Sequence, residues 1–66
     1  MEYIYMLVGD GFDWEDMLLY TEEADAIVAS RRYPHRRVEI FKRDGHGTYS
    51  PTYSYIQNGE LVNGDK

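Results

Sequence analysis

Histidines, clustered carboxylates and arginines are the groups in this chain that could do chemistry. Four arginines and a histidine fall within seven residues, Arg31-Arg32-Tyr33-Pro34-His35-Arg36-Arg37. His35 therefore sits among cations, which discourages a bound metal. His46 lies between Gly45 and Gly47 in a turn-rich segment and reads as a surface side chain. Neither histidine has a partner at metal-ligand spacing. The run Asp10-Gly11-Phe12-Asp13-Trp14-Glu15-Asp16 is dense in carboxylates and could attract calcium. It lacks the alternating ligands and terminal glutamate of a helical-hand calcium loop, so it reads as a solvated loop anchored by Phe12 and Trp14. Gly9-Asp10-Gly11 and Gly45-His46-Gly47 lack the strand-to-helix context of a phosphate loop. There is no Gly-x-Ser-x-Gly and no cysteine nucleophile. We expect no enzyme, no catalytic residue, no metal and no cofactor.

Two binding chemistries remain. Arginine forks match phosphate oxygens, so Arg31, Arg32, Arg36, Arg37 and Arg43 are candidates for a phosphate or nucleic-acid contact. The net charge of −5 and pI near 4.7 argue against nucleic acid as the main partner. Tyrosine supplies seven of the ten aromatic residues. Tyrosines on a sheet can contact a protein partner or stack on bases. The alternative to an anchoring Trp14 is an exposed docking element among its acids, because tryptophan is enriched in binding hot spots.

The elements that must position these groups follow from periodicity. Residues 2–8 alternate as a strand, and Gly9-Asp10-Gly11 breaks it. Residues 17–20 give a second short strand, forming a hairpin with the first. Thr21 suits a helix N-cap, with Glu22, Glu23 and Asp25 in the first turn. The helix runs to about Arg32, because Pro34 disfavours helical geometry at Tyr33. Ala24, Ile27 and Val28 form its expected buried stripe. Residues 36–43 alternate again. Residues 48–57 make a further strand, with Pro51 marking an edge or an irregular start. Asn58-Gly59 signals a tight hairpin before a short strand at 60–62.

The expected fold is therefore α+β, in the order β-β-α-β-β-β. One antiparallel-rich sheet carries a single helix on one face. Residues 1–63 form one domain, and residues 64–66 read as a frayed tail. The inward set is expected to be Ile4, Met6, Val8, Val38, Ile40 and Ile56. The open face would then carry Tyr3, Tyr5, Leu7, Phe41, Tyr53 and Tyr55. With Trp14, the residues Tyr3, Tyr5, Phe41, Tyr53 and Tyr55 are the candidate partner-binding set. The expected partner is another protein or a second copy of the chain, in a homo-oligomer.

Charge and length set the outer bounds. Residues 1–30 hold eight of the twelve acids and no Lys or Arg, while residues 31–43 hold six of the seven bases. Acids at a helix start and bases at its end favour the helix dipole, which accounts for much of this split. A chain of 66 residues buries only ~60% of the surface its unfolded form exposes. It has no cysteine to staple it, which fits a reducing compartment such as the cytoplasm. No apolar run approaches the ~18 residues of a membrane helix, and Glu2 with no basic region argues against a signal peptide.

Trp14-Glu15-Asp16, Thr21-Glu22-Glu23-Ala24, Tyr33-Pro34, Arg37-Val38-Glu39-Ile40-Phe41, Pro51-Thr52-Tyr53 and Asn58-Gly59 together resemble small uncharacterised proteins encoded by large DNA viruses of eukaryotes. The resemblance covers most of the chain. It implies expression in the cytoplasm of an infected host cell, or packaging in a virion, as a viral accessory protein. It carries over no activity and no catalytic residue.

Overall fold

The computed structural model describes residues 2–9, 11 and 13–64. It contains β1 (Tyr3–Val8), a 3₁₀ turn (Trp14–Asp16), β2 (Leu18–Tyr20), α1 (Glu23–Arg32), β3 (Arg37–Arg43), β4 (Tyr49–Gln57) and β5 (Glu60–Val62). The five strands form one antiparallel sheet in the order β2-β1-β3-β4-β5, with α1 packed on one face. The α+β class and the β-β-α-β-β-β order are as expected from the sequence.

The phase of β1 is reversed from expectation. Tyr5 lies opposite Ile40, Leu7 opposite Val38, and Val38 opposite Ile56. These five residues form the core beneath the helix with Ala26, flanked by Tyr20, Ile27 and Tyr33. Leu7, Val38 and Ile56 are almost wholly enclosed, and each contributes about 1.5–3 kcal/mol by leaving water. Ile4, Met6 and Val8 therefore point to the open face. Tyr5, expected there, is 8% exposed, and Leu7 is fully buried.

The helix stripe also differs. The buried residues of α1 are Ala26, Ala29 and Ser30, and Tyr33 continues the same i, i+3, i+4, i+7 face. Ala24 is exposed and Val28 is 57% exposed. Small side chains let the helix backbone settle close to the sheet, so Leu7, Ile56 and Tyr5 fill the layer from below. Glu22 occupies the N-cap position with no side-chain cap bond, one residue after the expected Thr21. Glu23 and Asp25 in the first turn, and Arg31 and Arg32 in the last, match the dipole.

Ser30 ties the helix to the sheet. Its hydroxyl donates to the Ile27 carbonyl at 2.7 Å and accepts from the Gly59 amide at 2.8 Å. That amide belongs to the β4–β5 turn, where Asn58 and Gly59 have φ of 50° and 81°. Both angles lie in the left-handed region that a two-residue hairpin of this type requires. A side chain at Gly59 would also run into that of Arg31.

Strand β4 is irregular. Glu39 pairs with Tyr55 but Phe41 pairs with Pro51, so β4 carries extra residues at this bulge. Tyr53 sits there with φ of 68°, a strained value for a residue with a side chain. The Thr52 hydroxyl donates to the Ile40 carbonyl at 2.8 Å and accepts from the Ser54 amide at 3.2 Å. It thereby gives the Ile40 carbonyl a partner at the bulge. Pro51, which has no N–H, lies in the part of β4 beyond its pairing with β5. Gly64, expected to be frayed, donates its amide to Ser54 Oγ at 3.3 Å and lies against the Tyr53 backbone.

Candidate functional site

The open sheet face is built from cross-strand rows. Leu19, Met6, Glu39, Tyr55 and Val62 form one row across all five strands. Ile4, Phe41 and Pro51 form the next. Val8 and Arg37 lie to one side of these rows, and Arg43 with Tyr49 to the other. Among the described residues, no second layer covers this face. Its charged pair is internal, because the Arg37 guanidinium donates to the Glu39 carboxylate and lies 5.6 Å from the Tyr55 ring centre. An arginine over an aromatic ring gains from the ring quadrupole.

The expected partner-binding residues are thus dispersed. Phe41 and Tyr55 are on the open face. Tyr5 is in the core on the helix side, and Tyr3 shares its face, 38% exposed. Tyr53 stands at the bulge. Trp14 is 79% exposed on the 3₁₀ turn, so it does not anchor the β1–β2 connection. That turn closes through the Asp16 and Met17 amides, and the Asp13 amide donates to the Asp16 carboxylate at 3.3 Å. Asp10 and Phe12 of the same acidic run lie outside the described residues. Sequence reasoning missed Ile4, Met6, Val8, Leu19 and Val62 for this face. The five-strand row becomes visible only once the strand register is known.

The basic segment is also divided. Arg31 lies beside Gly59, and Arg32 borders a groove between α1 and β2 with Leu18 and Val28. The Arg36 guanidinium sits 4.6 Å from the Tyr33 ring centre. His35, Arg36 and Arg37 line a polar recess of about 300 Å³ with Val8, Gly9 and Gln57. Arg43 is at the opposite end of β3, where its amide donates to the Glu2 carbonyl at 2.8 Å.

A second concavity opens on the helix side, where α1 leaves part of the sheet uncovered. It measures about 330 Å³ and is lined by Tyr3, Tyr5, Glu23, Ile40, Thr52, Ser54, Leu61 and Asn63. Burial, and then the charge of nearby Glu23, hold the Tyr5 hydroxyl above its ordinary pKa, with smaller contributions from Tyr3 and Glu22. In the β3–β4 loop, the Asp44 carboxylate accepts from the Thr48 hydroxyl, the His46 amide at 2.8 Å and the Thr48 amide at 3.2 Å. The Thr48 hydroxyl bond is the main cause that holds its pKa below the ordinary value, followed by these amides.

Among the described residues, no three His, Asp or Glu side chains come together as a metal site. No helix among them is long and apolar enough to cross a membrane. Comparisons with protein-family models, curated proteins and solved structures found no match.

Proposed function

We propose that the chain is a small interaction module that associates with a second copy of itself through the open sheet face. The observation that carries this reading is the row Leu19–Met6–Glu39–Tyr55–Val62, backed by Ile4, Phe41 and Pro51. An antiparallel sheet with one solvated side normally carries polar residues there. Here the apolar side chains continue across the face, and the interrupting charge is already neutralised by Arg37.

Geometry supports a second copy as the occupant. Five strands ~4.8 Å apart and about six residues at ~3.3 Å each give a face of roughly 500 Å². Two such faces would bury about 1,000 Å² in total, at the low end for specific protein pairs. The association is therefore weak and reversible. A two-fold arrangement also lets Arg37 of one copy meet Glu39 of the other, since an isologous contact is self-complementary. We infer a reducing compartment, the cytoplasm, from the absence of cysteine. The viral resemblance would make that the cytoplasm of an infected cell. Nucleic acid is not favoured, because Arg43 lies far along β3 from Arg36 and Arg37, and Arg37 is engaged by Glu39.

Light scattering over a wide concentration range tests this reading. The weight-average mass should rise from one chain toward two. A constant single-chain mass would refute self-association.

A further inference from the structure

We propose that the helix-side cleft between the start of β1, the first turn of α1 and the bulge of β4 binds an organic ammonium group. This site is separate from the open face, on the opposite side of the sheet. It is lined by the aromatic residues Tyr3 and Tyr5, the apolar residues Ile40 and Leu61, and the acidic Glu23. Thr52, Ser54 and Asn63 add neutral polar groups.

The chemistry of this lining discriminates among ligand classes. Among the described residues no Lys, Arg or His lines it, so the described lining offers an anion no cationic partner. A hard metal ion prefers several carboxylate or carbonyl oxygens, and the described lining residues include one carboxylate. A purely apolar ligand would not use Glu23. An alkylated ammonium satisfies both parts. Its methyl or methylene envelope packs on the tyrosines, Ile40 and Leu61, and its charge is attracted by aromatic rings and by the carboxylate. Two further observations agree. The Tyr5 hydroxyl, held above its ordinary pKa first by burial, also feels the negative charge of Glu23. Lys42, cross-strand from Tyr3, has its ammonium 3.9 Å from the Glu2 carboxylate and is not part of the lining. The volume of about 330 Å³ suits a small ligand or the end of one side chain.

The test is an amide chemical-shift titration of the isotope-labelled protein at constant ionic strength. Choline is compared with 3,3-dimethylbutanol, in which a neutral carbon replaces the charged nitrogen. Choline should saturate shifts at Tyr3, Tyr5, Glu23 and Ser54, and should bind on the order of tenfold more tightly than the neutral analogue. Glu23→Gln should remove most of that preference while leaving the binding of dimethylbutanol unchanged. Four results would overturn the proposal: equal affinity for the two compounds, choline shifts confined to other surfaces, a choline affinity that Glu23→Gln leaves intact, or no saturable choline binding over the range that constant ionic strength allows.

Discussion

Single residues carry much of the specificity of this small fold. Ser30 is a buried hydroxyl that donates to its own helix and accepts from the β4–β5 turn. Removing it orphans the Gly59 amide. Ser30→Ala should therefore cost about 1–3 kcal/mol, measured by urea denaturation. A loss indistinguishable from zero would mean that water replaces the hydroxyl. Asp44 contributes a pH dependence. Its folded pKa lies below the unfolded one, so its stabilisation is present above the ordinary carboxylate pKa and fades as pH falls through the lower folded value. Asp44→Asn should flatten this part of the acid-stability curve, read by thermal melts from about pH 5 to about pH 2. An unchanged curve would contradict the Thr48 and His46 bonds as its source.

At the scale of elements, the sequence disclosed periods better than phases. Asn58-Gly59 names its own turn, because few other residue pairs accept two positive φ values. The helix limits are similarly legible from its acidic start and from Pro34. Strand β1, Tyr3–Val8, is apolar at every position, so alternation alone cannot say which half faces the helix. Register decides it, through Tyr5 opposite Ile40 and Leu7 opposite Val38. The helix misled for a related reason. Of its two largest apolar residues, Ile27 packs at the edge of the core as expected but Val28 is exposed, and the face against the sheet is Ala26, Ala29 and Ser30. This yields a paired prediction. Ala29→Leu should destabilise by about 1–3 kcal/mol through overpacking. Val28→Ala, on the exposed side, should stay within roughly 0.5 kcal/mol. Denaturant midpoints for the two variants check the assignment, and the reverse order would contradict it. The bulge in β4 carried no readable sign beyond Pro51, since it depends on Thr52 reaching the Ile40 carbonyl.

At the scale of the whole molecule, a chain of 66 residues has made two different surfaces from one sheet. The helix covers part of one face and leaves a tyrosine-lined cleft. The other face has no layer over it among the described residues. The candidate binding residues were only partly legible for this reason: Phe41 and Tyr55 followed from the parity of β3 and β4, whereas Met6, Ile4 and Val62 needed the register of the assembled sheet. The charge split has a structural origin in the helix dipole, and the Lys42–Glu2 pair joins its two halves. The open face is proposed to join two copies, and Met6 lies on it beside the central strand β3. Sedimentation equilibrium of the native chain beside Met6→Lys tests it most directly, with circular dichroism confirming that both are folded. The native chain is expected to show a reversible monomer–dimer equilibrium, and Met6→Lys to be a monomer at every concentration. A folded native chain that remains monomeric throughout, or a Met6→Lys variant that dimerises equally well, would contradict it.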